Sequence, residues 1–148
     1  WGAIKKAAPL LDTTFLVTNG DTYLPINCDD VVKRLEQSDK LAMIVVYENN
    51  NLYDISNIIL DGTTVRVYNK AGKSNEKRYI DAGLSAVKKE VLEFIPDGKA
   101  FSQNDMCQSL IKRKQLSAYI TEQRFYEIGS TRGLEEFCEL VTTEGLKQ

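Results

Sequence analysis

The chain of 148 residues contains no histidine. Histidine-based catalysis and the common zinc sites are therefore excluded, because the side chain that titrates near neutrality and most often joins such sites is missing. Cysteine is also sparse, with Cys28, Cys107 and Cys138 far apart and no Cys-x-x-Cys pair. An odd, scattered set of this kind fits a reducing cytoplasm, where cysteine serves as a small core hydrophobe. Charge of one sign is lacking too: 19 basic residues against 21 acidic ones leave a net charge of -2. With no global basic field there is no expected partnership with nucleic acid or an anionic membrane, and any phosphate must be held by local groups or a metal. No apolar run is long enough to span a bilayer, and the first residues lack the basic, apolar and small-residue order of a signal peptide. Repeats, low-complexity tracts and an interdomain linker are absent as well, so residues 1–148 are expected to form one domain. A start at Trp1 rather than Met leads to the expectation of further chain ahead of it.

What is present is an ordinary globular pattern, 43% hydrophobic and 27% charged. Ala3, Ile4, Ala7, Ala8 and Leu11 share one helical face, which Pro9 should end near Ala8. Phe15, Leu16 and Val17 form a continuous apolar run between Thr14 and Thr18, which predicts a central strand covered on both faces. Val31, Val32 and Leu35 predict a short helix capped by Asn27 or Asp29, and a second buried strand follows over 41–47. Strand, helix, strand predicts a crossover between neighbouring parallel strands. Asp61-Gly62 predicts a hairpin between 57–60 and 63–68, flanked by polar loops at 48–56 and 69–77. Residues 79–87 read as a strand leading to a helical stretch through Val91, Leu92 and Ile95, stopped at Pro96. Ser102 and Asp105 have the spacing of a capping box for a helix buried through Met106, Leu110 and Ile111. Strands are predicted at 116–121 and 124–129. Leu134, Phe137, Cys138 and Val141 then recur at helical spacing behind Ser130 or Thr131, and this last helix is expected to flank the sheet.

The strand at Thr14 ends in Asn19-Gly20-Asp21. Ligands of open α/β sheets bind where strands end, and a carboxylate beside glycine at such a place is suited to holding a divalent metal on a phosphate. The same three residues also suit a plain turn.

Four segments in order carry a wider likeness: residues 2–11 (Gly2-Ala3-Ile4-Lys5-Lys6-Ala7-Ala8-Pro9-Leu10-Leu11), Asn19-Gly20-Asp21, Tyr79-Ile80-Asp81-Ala82-Gly83-Leu84, and Phe125-Tyr126-Glu127-Ile128-Gly129-Ser130. Together they resemble the sugar-phosphate nucleotidylyltransferase family, most of all the bacterial guanylyltransferases acting on mannose 1-phosphate or heptose 1-phosphate. The resemblance implies a Rossmann-like, three-layer α/β/α fold with a mixed sheet, of the nucleotide-diphospho-sugar transferase type. It also implies a cytoplasmic enzyme whose partners are a nucleoside triphosphate and a sugar 1-phosphate, joined with release of pyrophosphate. Such a transfer depends on positioning and on charge neutralisation by Mg²⁺ more than on acid or base groups, so a chain without histidine is compatible with it.

Carried over position by position, the resemblance makes Asp21 and Glu127 the metal ligands, although the second position is often Asp in the family. Asp21 and Lys70 become the catalytic residues, with Lys70 neutralising phosphate outside its customary Glu-Lys-Pro context. Asn19, Gly20, Asp81 and Gly83 fall on the substrate side, with Asp81 where many relatives have Asn. Gly2 matches the last glycine of a loop near the nucleotide base. Read from residue type alone, Glu127 also fits a solvated strand-end acid, Lys70 a surface lysine and Gly83 a strand bulge.

The Gly-rich phosphate loop that opens the family is missing from these residues. The resemblance therefore implies a C-terminal portion that keeps the metal and sugar side. Such a portion is expected to be inactive alone, and to be an oligomer or an aggregation-prone monomer. Two function classes follow: part of a nucleotidyl-transferring enzyme, or a non-catalytic sugar-phosphate-binding or assembly module built on the same fold.

Overall fold

A computed structural model describes residues 1–69 and 78–143. Its main sheet has six strands in the order β1-β6-β3-β7-β5-β4, where β1 is Thr14–Thr18, β3 Ala42–Glu48, β4 Ile58–Asp61, β5 Thr64–Tyr68, β6 Tyr79–Lys88 and β7 Leu116–Thr121. β3 and β7 are parallel, while β6 runs antiparallel to both β1 and β3. The fold is thus mixed α/β.

Alternation along β3 divides the core. Ala42, Ile44 and Val46 join one apolar cluster with Met106, Cys107 and Leu110 of α3 (Gln103–Lys112), to which Trp1, Ile4, Ala8 and Leu11 add partly buried surface. Met43 and Val45 join the other cluster with Val31 and Leu35 of α2 (Cys28–Glu36). Helices therefore cover opposite faces of the sheet. Capping follows the sequence: Asn27 accepts from the Asp29 N–H at 3.0 Å, and Ser102 and Asp105 exchange both capping-box bonds. The chain enters through α1 (Gly2–Lys6), which gives way to a 3-10 turn over Ala8–Leu10 around Pro9. A 3-10 helix over Lys89–Phe94 replaces the helical stretch expected after β6. Gly62 at φ +58° turns the hairpin between β4 and β5. None of the described helices is long and apolar enough to cross a membrane.

Three expectations are corrected. β1 is an edge strand among the described residues: Phe15 points into the core, but Leu16 on the opposite face is 39% exposed. The apolar triplet marks one buried face with an extra hydrophobe opposite, not two covered faces. Next, β1 and β3 run in the same direction but are not neighbours, because β6 lies between them and α2 crosses over it. β6 is almost wholly buried and offers each of them an antiparallel partner, so a strand later in the chain takes the central place. Finally, α4 (Thr131–Thr143) packs on a separate two-stranded ribbon formed by β2 (Thr22–Tyr23) and β8 (Tyr126–Glu127), not on the main sheet. Its Phe137 ring stands 5.3 Å from that of Tyr23 and 6.3 Å from that of Tyr126. Aromatic contacts with the ribbon win the apolar face of α4, none of whose residues is buried.

Gly133 is what lets α4 lie so close to the ribbon. A Cβ there would strike the backbone carbonyl of Glu127, which cannot swing aside as a side chain can. Gly133→Ala should therefore lower stability by about 1 to 3 kcal/mol, outweighing the roughly 1 kcal/mol that Ala contributes as a better helix former. The measurement is the urea midpoint, and an unchanged midpoint would contradict this packing.

Candidate functional site

The ribbon is also what assembles the site. Thr22 faces Glu127 directly across it, and the Ile128 N–H donates to the Asp21 carbonyl at 2.8 Å. Two acids from opposite ends of the chain are thereby set side by side. Gly129 records their convergence, since a Cβ at that position would collide with Glu127 Oε1 and stand 3.0 Å from Asp21 Oδ2. Ser130, which caps α4 by accepting from the Gly133 N–H at 3.1 Å, donates its hydroxyl to Glu127 Oε2 at 3.3 Å.

These acids line a cavity of about 460 Å³. Asn19, Asp81 and Gly83 from the sequence reading line it as well. Gly20 does not, and a Cβ there would meet open space. Gly2 lies elsewhere, in a depression it shares with Lys5, Lys6 and Lys99. Lys70 falls outside the described residues. Of the residues the sequence singled out, the structure thus brings Asp21, Glu127, Asn19, Asp81 and Gly83 into one place.

Gly83 adopts φ +80°, a conformation that costs other residues energy. Ile44 pairs with Ser85 and Val46 with Asp81, so Ala82, Gly83 and Leu84 bulge opposite Val45. A Cβ on Gly83 would come within 2.9 Å of Thr22 Oγ1 and 3.1 Å of Asn19 Nδ2. The bulge is present, and the close approach that glycine permits is that of the chain's own Asn19 and Thr22.

Among the described residues, three donors tie Asp81 down. Tyr68 Oη and Gln103 Nε2 donate to Oδ2 at 2.8 and 3.0 Å, and the Gly83 N–H donates to Oδ1 at 2.9 Å. Burial, and then the neighbouring Asp81 charge, push the Tyr68 hydroxyl well above its ordinary pKa, so it stays protonated and donates. Tyr68→Phe should cost about 1 to 3 kcal/mol by stripping one donor from this carboxylate while leaving the ring in place, measured as a fall in the denaturation midpoint. Stability equal to wild type would show that the bond contributes nothing.

The sequence reading missed the opposite wall. Residues 49–56, expected only as a polar loop, are held by buried and half-buried hydrogen bonds. Asn49 accepts from the Tyr53 N–H at 3.1 Å and donates to Ser56 Oγ at 3.0 Å, and the Asn51 side chain accepts from the Ser56 N–H at 2.9 Å. Asn50 and Asn51 sit at positive φ, which asparagine tolerates. The loop presents Tyr53, Asp54 and Ile55 to the cavity. Arg124 spans from this wall to the ribbon, its guanidinium 4.0 Å from the Tyr53 ring centroid and 4.6 Å from that of Tyr126. It also pairs with Glu136 of α4, whose other carboxylate oxygen accepts from Arg132 Nε at 2.8 Å. The Arg132 hydrogen bond, with the charges of both arginines, holds the Glu136 carboxyl below its ordinary pKa. The signal in the sequence was the Arg124-Phe125-Tyr126 run and the i, i+4 spacing of Arg132 and Glu136.

This site lies in a known fold. The chain aligns over 99% of its length, at TM-score 0.81 and 12% identity, with a Bacillus anthracis protein provisionally assigned as a glucose-1-phosphate thymidylyltransferase and solved with sucrose. HddC from Yersinia pseudotuberculosis, also solved with GMP-PN, aligns over 93% of the chain at TM-score 0.73 and 23% identity. UDP-glucose pyrophosphorylase from Acinetobacter baumannii aligns over 98% at TM-score 0.76 and 13% identity. The fold is that of nucleotidyltransferase structures. The chain spans 62%, 60% and 57% of the length of these three proteins. No family model and no curated protein matches the sequence.

The chemistry of the acid pair can be tested against a metal. Asp21 and Glu127 offer oxygen donors only, and among the described residues no group of three or more metal-ligating side chains gathers anywhere. Two carboxylates leaving room for waters and phosphate oxygens fit Mg²⁺, a hard cation that is seldom fully enclosed by protein.

Proposed function

We propose that the protein containing this chain transfers a nucleotidyl group from a nucleoside triphosphate to a sugar 1-phosphate. The convergence of Asp21 and Glu127 on Gly129, in this fold, is the observation that carries the reading. An oxygen of the sugar 1-phosphate attacks the α-phosphorus, the bond to the bridging oxygen of the β-phosphate breaks, and pyrophosphate leaves. Mg²⁺, when bound, neutralises charge on the phosphate oxygens. Asp21 and Glu127 would hold it, with Ser130 steadying Glu127. Asn19 and Asp81 face the substrate, and the Gly83 bulge brings Asn19 and Thr22 against β6. Asp81, already accepting from Tyr68 and Gln103, can only accept from sugar hydroxyls, so it selects for donors in a fixed orientation. Lys70 is assigned to phosphate neutralisation by family resemblance alone.

On this reading the chain is the C-terminal portion of a Rossmann-like three-layer fold. Guanylyl transfer to mannose or heptose 1-phosphate is the preferred specificity, and the likeness to HddC, solved with GMP-PN, supports it. The test is pyrophosphate release from each nucleoside triphosphate with either sugar 1-phosphate and Mg²⁺, run on these 148 residues and on an upstream-extended version. Turnover by the extended protein and none by the chain alone is expected. Binding of sugar phosphate without turnover in either would support a non-catalytic module instead. Robust turnover by the chain alone would overturn the idea that a phosphate loop ahead of it is needed.

A further inference from the structure

The cavity poses a problem of charge that the acid pair does not solve. Asp21, Asp54, Asp81, Glu127 and Glu136 line it, and among the described residues the lining cations are Arg124 and Arg132. Beside the Mg²⁺ and Lys70 of the transferase reading, these two side chains are the positive partners that the described residues offer an anionic ligand. Arg124 is committed, stacked between two tyrosines and paired with Glu136, with its side chain only 29% exposed. Arg132 is different. Its side chain is 72% exposed, its Nε is held by Glu136, and its two terminal nitrogens bond nothing among the described residues. A guanidinium oriented through Nε with the outer fork uncommitted is arranged to take two oxygens of one phosphate. The support behind it is firm, because Glu136 is anchored in turn by Arg124 between Tyr53 and Tyr126. Arg132 also stands two residues beyond Ser130, which donates to Glu127, so the fork and the acid pair belong to the same turn of chain.

We infer that Arg132 is a phosphate-binding residue of this cavity, oriented by Glu136 and Arg124. The inference deepens the transferase reading and rests on it for the identity of the phosphate ester. An ordinary i, i+4 surface ion pair would show the same Arg132–Glu136 contact, but it would leave phosphate affinity untouched when removed.

The experiment measures equilibrium binding of inorganic phosphate by ³¹P line broadening, using the protein at its full natural length. Arg132→Gln should weaken binding at least tenfold. Arg132→Lys keeps the charge but loses the fork, and should weaken it at least threefold. Lys33→Gln, exposed on α2 and outside the cavity lining, serves as the equal-charge control and should change nothing. Phosphate affinity of Arg132→Gln within twofold of wild type, or no phosphate binding by wild type, would overturn the inference. Two further titrations find the source: selective loss of sugar 1-phosphate affinity assigns the fork to the acceptor, and selective loss of nucleoside triphosphate affinity assigns it to the donor. Because binding is read without turnover, phosphate held through Arg132 in a protein that releases no pyrophosphate sinks the transferase reading and leaves this site standing. Pyrophosphate release with undiminished affinity in Arg132→Gln does the reverse.

Discussion

Replacing Asp21 by Asn is expected to cut Mg²⁺-dependent nucleotidyl transfer by about 10³-fold in the complete protein, roughly 4 kcal/mol of transition-state stabilisation. Asp21 is exposed, and among the described residues its carboxylate accepts only a long bond of 3.5 Å from Thr22. What the fold needs from this residue is its carbonyl, which receives the Ile128 N–H and remains in the amide variant. Asn keeps the shape but loses the charge and turns one ligand oxygen into a donor. Melting should therefore stay within a few degrees of wild type while the rate collapses. Activity within a factor of two of wild type would sink the metal assignment.

Gly129→Ala is expected to do similar damage without removing any functional group. The added Cβ occupies the space where Glu127 Oε1 lies and presses on Asp21 Oδ2. Both obstacles are ends of side chains, so the backbone has no reason to move and the carboxylates must yield. Mg²⁺ affinity and transfer rate should fall about 10- to 100-fold, the scale on which disturbed ligand support acts. Stability should change by less than about 1 kcal/mol, as for an exposed position away from the core. A Mg²⁺ titration identical to wild type would show that the two acids do not share an ion. The contrast with Gly133→Ala is informative, because there the obstacle is backbone and the cost falls on folding.

Much of the local structure was legible in the sequence because its causes are local. Asn27, Ser102 and Ser130 cap the helices that their spacing implied, and Gly62 turns the hairpin. The buried strand that became β3 and the apolar spacing in α2 also read correctly. Sheet order was less legible: nothing near Thr14 or Ala42 announces that β6 will come between them. The same holds for α4, whose helical period was plain but whose partner is a ribbon of two-residue strands, too short to carry any periodic signal. The acid pair was reached only through family resemblance, since Asp21 alone is as good a turn residue as a ligand. Arg124, Glu136 and Arg132 went unnoticed because charged residues near a helix start are ordinary until a stacked tyrosine from residues 49–57 shows that one of them is clamped.

The register that brings Thr22 opposite Glu127 has a consequence in time. Chain entropy makes a pairing between distant segments slow to form, and the neighbouring antiparallel contacts of β1 with β6 and parallel contacts of β3 with β7 are also non-local. The ribbon adds few bonds of its own, so it closes only after the larger sheet has brought both ends together. The acid pair is then expected among the last features to appear during folding, after the core that carries it.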